Sequence, residues 1–153
     1  MTPAEFVNEI VQPTIQEFRD ERRSRRRAYL ACIVVYHIKD YLEKAGEKDV
    51  FQKMKGACPS TFELVRSICN GSKHVHTNLH HEIPFHAGDD WDRPPARAGV
   101  MRAGISRAGD ATGGREAKVT ESSLDLYGCV KTLVLTFQQK FPVHLSSCDL
   151  HNC

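Results

Sequence analysis

The chain has 153 residues, 41% of them hydrophobic and 26% charged, which is ordinary for a globular protein with its own apolar core. This length fits one domain and leaves little room for two. The formal net charge of +2 is too small to indicate nucleic-acid binding by itself, so the distribution of charge matters more. No apolar run can span a bilayer, and the N-terminus lacks the basic and apolar regions of a secretory signal. We therefore expect a cytoplasmic protein with no membrane partner.

The cysteines indicate a reducing environment. Six cysteines are present, and none forms a Cys-x-x-Cys pair. Cys32, Cys69 and Cys129 lie beside aliphatic residues in segments with a helical pattern. In a cytoplasmic chain this pattern favours buried free thiols over a disulfide framework.

Apolar side chains recur with helical spacing over the first half of the chain. We predict helices over residues 3–22, 24–45, 48–55 and 60–76. The second helix is the clearest, because apolar residues from Leu30 to Leu42 form one continuous stripe along it. Pro13 interrupts the first helix, so we expect a kink or a break near Val11 or Gln12.

The second half of the chain is less regular. Glycine and proline punctuate residues 83–119 and large apolar side chains are few there, which predicts a long irregular loop or an insertion, with room for a short hairpin. A last helix is predicted from near Thr120 to Phe141, ended by Pro142, with an irregular tail over residues 143–153. No internal repeat is expected.

These elements predict a fold without a sheet, because no segment alternates with a period of two strongly enough to demand a strand. The predicted fold class is all-α. We expect an antiparallel bundle of four to five helices that forms a single domain over residues 1–153, with one long irregular loop before the last helix.

The most specific chemical pattern lies late in the helix predicted over residues 60–76. Arg66, Asn70 and His74 stand four residues apart, which places them along one stripe of a helix. A cation, an amide and an imidazole at a groove can bind a phosphate and move a proton, and Lys73 adds a second cation. The alternative is that Asn70 and His74 merely finish the helix, where such residues are common.

This stretch resembles the motif of the HEPN superfamily of small helical bacterial proteins. The run from Asn70 to His74 matches the polar-x-x-x-His half of that motif, Cys69 replaces the motif arginine, and Arg66 is the nearest arginine. The resemblance implies a helical homodimer that binds or cleaves RNA without a metal, with His74 as general acid or base and Arg66 stabilising the charged phosphorane. Because the motif arginine is replaced, binding without cleavage is an equal expectation.

Arginines are concentrated at the junction of the first two predicted helices. The run comprises Arg19, Arg22, Arg23, Arg25, Arg26 and Arg27. Such a stripe suits phosphate groups, and we predict that the last five bind nucleic acid. The alternative is a solvated helical face with pairs such as Glu21 with Arg25. No aromatic residue is interleaved with the run, which counts against stacking of single-stranded bases there.

Histidines are concentrated in the following stretch. His74, His76, His80, His81 and His86 lie within thirteen residues, and imidazoles are common ligands of Zn²⁺ and Ni²⁺. The spacing matches no named zinc pattern, and histidines exposed in loops are usually solvated. We predict no resident cofactor, and His76, His80, His81 and His86 are candidates for a metal site or for adventitious metal.

His37 lies within the apolar stripe of the second helix, and Asp40 follows one turn later. The simplest interpretation is a core histidine hydrogen-bonded to a neighbour. If this helix packs on residues 60–76, His37 instead faces the stripe of Arg66, Asn70 and His74, and Asp40 orients it.

These patterns predict RNA or nucleotide binding by a HEPN-like homodimer, with ribonuclease activity left open. Two other classes of protein remain as alternatives. One is a non-catalytic protein–protein interaction module, and the other is a metal-binding protein built on the histidine loop.

Overall fold

A computed structural model describes residues 1–72, 85, 88–119 and 122–150 of the chain. Within these ranges helices precede and follow a small antiparallel sheet. The helical elements are α1 (Pro3–Phe6), a π-helical segment (Val7–Val11), α2 (Gln12–Asp20), α3 (Arg25–Lys44), α4 (Val50–Ala57), α5 (Pro59–Gly71), α6 (Leu126–Lys140) and α7 (Pro142–Leu145). The strands are β1 (Asp90–Arg93), β2 (Gly114–Val119) and β3 (Ser122–Asp125).

Helix α3 is the centre of the bundle, and α2, α5 and α6 pack around it. It begins where the Ser24 hydroxyl accepts a hydrogen bond from the Arg27 amide, which satisfies one of the unpaired donors of the first turn. Its buried face consists of Ala28, Ala31, Cys32, Val35, Tyr36, Ile38 and Leu42. Burying one such aliphatic side chain contributes about 2 kcal/mol, so this stripe accounts for much of the core.

The interruption expected at Pro13 takes the form of a π-helical turn. The Gln12 amide donates to the carbonyl of Val7, five residues back, where an α-helix would reach four residues back. Pro13 has no amide hydrogen and cannot form its own helical bond. A π-turn just before it absorbs this mismatch, so the helical path continues from α1 into α2.

The predicted all-α fold class is wrong, because β1, β2 and β3 form a three-stranded antiparallel sheet. Two of these strands lie inside the predicted long loop of residues 83–119. The inward face of the sheet carries charged side chains as well as apolar ones, since Asp90 and Arg115 are buried beside Ala117 and Val119. A strand buried partly through ion pairs lacks the apolar alternation that identifies strands in a sequence.

Strand β2 is the centre of the sheet. Trp91 of β1 and Asp125 of β3 both pair with Glu116. Because successive side chains of a strand point to opposite faces, Ala117 and Val119 point into the core while Glu116 and Lys118 belong to the outer face. Helix α6 follows β3 directly, and its first turn is capped by the Asp125 carboxylate, which accepts a hydrogen bond from the Gly128 amide at 2.9 Å.

Several helix boundaries differ from their predictions, and the largest shift is in the last helix, which begins at Leu126 and not near Thr120 because Ser122–Asp125 form β3. Helix α5 begins at Pro59, one residue ahead of the predicted start at residue 60, because proline is well suited to the first helical position. Pro142 follows the end of α6 and also begins the short helix α7, within the stretch predicted as an irregular tail.

Gly71 offers a test of the packing at the end of α5. A Cβ atom at this position would lie 2.5 Å from the backbone oxygen of Phe85, so Gly71→Ala must displace one of the two segments. We expect a loss of about 1–3 kcal/mol in the free energy of unfolding, measured by urea denaturation. The matched control is Gly56→Ala in α4, where nothing lies within 4 Å and alanine should stabilise the helix by up to about 1 kcal/mol. Equal effects of the two substitutions would contradict this packing.

Candidate nucleic-acid interface

Most arginines of the predicted nucleic-acid-binding run are ion-paired. The pairs are Arg22–Asp125 at 2.8 Å, Arg23–Asp92 at 2.5 Å, Arg25–Asp90 at 3.2 Å and Arg27–Glu21 at 3.1 Å. The first three join the α2–α3 junction to the sheet. Arg26 is exposed and forms no ion pair with any described residue. The run therefore attaches the sheet to the bundle, and its role in binding nucleic acid remains a prediction.

Asp90 is the most buried acid of this junction, with a side chain that is 0% exposed. Arg115 of β2 pairs with it, and the Tyr29 hydroxyl donates to it at 2.6 Å. Burial alone would raise the pKa of Asp90, but the bonds from Tyr29 and Arg115 hold that pKa below its ordinary value. Burial and the bond to Asp90 raise the pKa of Tyr29 to about 12. The acid is therefore charged and the phenol neutral at physiological pH.

A second network lies on the outer face of the sheet. Arg93, with a side chain only 4% exposed, reaches Glu116 at 2.7 Å and also pairs with Asp110. Arg107 reaches the same Glu116 oxygen at 2.7 Å, and the Ser123 hydroxyl donates to the other one. Glu116 thus collects two guanidinium groups, which anchor the connection between β1 and β2 over this face.

That connection contains a repeat, contrary to the sequence prediction. Arg-Ala-Gly occurs three times at intervals of five residues, beginning at Arg97, Arg102 and Arg107. Each unit is a turn in which the arginine carbonyl accepts a hydrogen bond from the amide three residues later, at 3.1–3.2 Å. Each turn has its glycine at a φ between +76° and +78°, as a type II turn requires. We call residues 97–110 the arginine strap.

The strap projects cations and apolar groups outward. Its neck is closed by a 2.7 Å bond from the Ala96 amide to the Asp110 carbonyl. Arg97 and Arg102 are exposed and form no ion pair with the described part of the chain. The strap also exposes Val100, Met101 and Ile105, which are 44%, 65% and 42% exposed. It is therefore a surface with positive charge and apolar contact area together.

Trp91 lies on the outer face beside the anchored strap. It is the one tryptophan of the chain and is 37% exposed. Its cross-strand partner is Glu116, the residue to which Arg107 is anchored. Exposed Lys118 is the diagonal neighbour, roughly 7–8 Å away along the sheet. An aromatic surface thus lies beside a lysine and beside the glutamate that anchors Arg107 of the strap.

A polar hollow of about 410 Å³ lies on the other side of β1, lined by Glu21, Arg23, Ser24, Asp92 and Arg115. The bidentate pair of Arg23 with Asp92 crosses it. The hydrogen bond from Arg23 lowers the pKa of Asp92, and Arg102 of the strap adds to that effect. The strap therefore lies near this hollow as well as over the outer face.

The motif of the sequence analysis is only partly described. Arg66 pairs with Glu63 at 3.1 Å, and its guanidinium lies 5.1 Å from the centre of the Phe51 ring. Asn70 is half-buried near the end of α5. Lys73 and His74 lie outside the described residues. The structure therefore places Arg66 beside an acid and leaves the phosphate site of Arg66, Asn70 and His74 a prediction.

His37 does face α5. Its Nδ1 lies 2.5 Å from the Asp40 carboxylate, and its Nε2 lies 3.9 Å from the Cys69 Sγ. Asp40 therefore orients the imidazole, as expected if α3 packs on the helix predicted over residues 60–76. On that helix the ring contacts Cys69. Spacing alone cannot show this contact, because it depends on how α3 and α5 pack.

The predicted metal ligands His76, His80, His81 and His86 lie outside the described residues. Over residues 1–72, 85, 88–119 and 122–150, no group of three or more metal-ligating side chains occurs. None of the described helices is long and apolar enough to cross a bilayer.

Comparisons of sequence and fold with known proteins find no matching protein family, no matching curated protein and no matching solved structure.

The buried Asp90 network can be tested by Asp90→Asn. The amide cannot neutralise Arg115, so we expect a loss of about 3–5 kcal/mol at pH 7 in urea denaturation. The matched control is Asp92→Asn, whose acid is 36% exposed and should cost less than about 1 kcal/mol.

The Asp90→Asn variant also tests how the stability contributed by Asp90 depends on pH. A carboxyl with a lowered folded-state pKa contributes stability above its unfolded pKa of roughly 4, and that contribution disappears as the pH falls through the folded value. The stability gap between wild type and Asp90→Asn should therefore narrow below about pH 4. A gap that is constant from pH 7 to pH 3, or equal losses in both variants, would show that the acid is not held by this network.

Proposed function

We propose that this protein binds single-stranded RNA across the outer face of its sheet, with the arginine strap holding the phosphates. The observation that carries the proposal is the half-exposed Trp91 on that face, beside Lys118 and beside the glutamate that anchors the strap. Proteins that bind single-stranded nucleic acid combine aromatic platforms for the bases with cations that follow the backbone. The outer face supplies both within one short sheet.

The strap suits phosphates because its arginines recur regularly. One guanidinium every five residues, each on its own turn, gives a row of bidentate donors. Arg97 and Arg102 are exposed and without an ion pair to a described residue, so a phosphate need not displace a carboxylate from them. Arg107 is 53% exposed although it pairs with Glu116, so its guanidinium can contact a ligand at the edge of the face.

The site proposed from the sequence rests on residues other than those of this face. Its described members, Arg66 and Asn70, lie on α5, whereas Trp91 is on β1. We retain ribonuclease activity there as a distinct proposal, tested by whether His74→Ala abolishes cleavage of an RNA oligonucleotide without changing the melting temperature. Binding at the outer face does not require it.

A second candidate function is the capture of another protein or of a second copy of this chain. The apolar side chains Val100, Met101 and Ile105 favour it, because exposed apolar groups are common in interaction surfaces. Substituting Met101→Ser should then weaken self-association in analytical ultracentrifugation. If this surface binds RNA and not protein, Met101→Ser should leave the mass of the protein in solution unchanged.

RNA binding can be measured directly, because Trp91 is the one tryptophan of the chain. We expect an unstructured oligouridylate to quench and shift its emission, since a stacked base replaces water at the indole. Trp91→Ala should weaken binding roughly tenfold or more, measured by anisotropy of a labelled oligonucleotide, because each stacked base contributes about 1–3 kcal/mol.

The phosphate contacts are tested by Arg97→Gln with Arg102→Gln. Losing two contacts should reduce the slope of log affinity against log salt by about 1.4. The matched control is Lys44→Gln with Lys48→Gln, which removes the same charge at the other end of the twenty-residue helix α3, about 30 Å away. An emission spectrum that saturating RNA leaves unchanged, or equal losses in both double variants, would rule out this interface. Binding to anionic lipid vesicles without binding to RNA would also rule out this RNA interface.

A further inference from the structure

The contact between His37 and Cys69 supports an inference that does not depend on RNA binding. On α3 the two residues His37 and Asp40 are one turn apart, and the imidazole Nδ1 lies 2.5 Å from the carboxylate. Burial would raise the pKa of Asp40, but hydrogen bonds from Lys39 and His37 hold it below its ordinary value. An ionised acceptor at Nδ1 places the proton there, so the lone pair of Nε2 faces the thiol.

Cys69 is buried like most of the other described cysteines, and it differs from them in the imidazole beside its sulfur. Burial raises the pKa of Cys58 and of Cys148, raises that of Cys129 to about 12, and raises that of Cys32 well above its ordinary value. These thiols stay protonated at neutral pH and are poor nucleophiles. Cys69 has an imidazole nitrogen 3.9 Å from its sulfur, within the range of a sulfur hydrogen bond.

Charged groups of both α3 and α5 lie near the His37–Cys69 pair. Tyr36 of α3 packs edge-on against the His37 ring, with centroids 6.1 Å apart. Lys39 of α3 and Arg66 of α5 both act electrostatically on Tyr36, as do Cys69 and Asp40. Lys39 is paired with Asp40 and Arg66 with Glu63, so each of these cations already has a carboxylate partner.

We propose that Cys69 is a nucleophilic thiol that takes up small α,β-unsaturated carbonyl compounds, with His37 as its base and Asp40 as the positioning residue. The Cys69 proton moves to His37 Nε2, and the thiolate sulfur forms a bond to the β-carbon of the electrophile. The electrons of the carbon–carbon double bond move to the carbonyl oxygen as an enolate. The α-carbon then takes the proton back from the His37 imidazolium, so no oxidant or leaving group is needed.

The Cys69 sulfur is buried, whereas the imidazole beside it is partly exposed. Cys69 is 1% exposed, whereas the His37 side chain in front of it is 37% exposed. A reagent that reaches the Cys69 sulfur must therefore displace or pass the His37 side chain, which favours a small electrophile. Cys58 is more exposed than Cys69, so exposure alone predicts the opposite order of reactivity.

The test is a time course of N-ethylmaleimide modification of the folded chain, read by mass spectrometry of the peptides that contain Cys69 and Cys58. We expect Cys69 to react faster than Cys58 at pH 7 despite its lower exposure. His37→Asn should slow Cys69 at least tenfold and leave the Cys58 rate unchanged, which also shows that the fold is intact. Asp40→Asn should move the midpoint of the pH–rate profile of Cys69 to lower pH, because an imidazolium without its carboxylate partner is a stronger acid.

Two results would overturn the proposal. In one, Cys58 reacts first in the wild-type chain. In the other, His37→Asn leaves the Cys69 rate unchanged. Because Asp40 is 44% exposed, its amide variant should fold, and a pH profile identical to wild type in that variant would also remove the role of Asp40. None of these modification rates depends on whether the protein binds RNA.

Discussion

The ion pair between Asp90 and Arg115 decides how this molecule is assembled. A carboxylate with no exposed side-chain surface is costly unless charges and hydrogen bonds surround it. Here Arg115 comes from the neighbouring strand, while Arg25 and Tyr29 come from α3. Satisfying this one acid brings β1, β2 and the first turns of α3 to the same place. The sheet is therefore held at the N-terminal end of the central helix.

Two sets of arginines follow from that placement. Those at the α2–α3 junction face the carboxylates of the sheet and dock it onto the helices. Those of the strap lie beyond the sheet, where Arg107 and Glu116 anchor the connection while Arg97 and Arg102 extend outward. The net charge of +2 conceals this division, since most arginines of the junction are matched by acids, whereas Arg97 and Arg102 of the strap form no ion pair with a described residue. A phosphate ligand would therefore meet exposed guanidinium groups at the strap.

The thiol site is separate from that surface. His37 lies twelve residues along α3 from Arg25, which is about 18 Å of helix. The proposed thiol chemistry depends on the packing of α3 against α5, and the proposed RNA surface depends on the docking of the sheet. A substitution at one site should leave the other intact, because the two share only the central helix. The two proposals are thus independent, and either can fail without the other.

The sequence by itself determined the helices, because their apolar stripes repeat with the helical period and α3 needs no partner to be recognised. It also contained the three Arg-Ala-Gly units, which a search for a five-residue period would have found. Tertiary structure alone decided the sheet, because Asp90 and Arg115 are polar in sequence and become interior residues only when each neutralises the other. It likewise decided which arginines are ion-paired and which thiol meets His37, since both depend on residues far apart in the chain coming within a few ångströms.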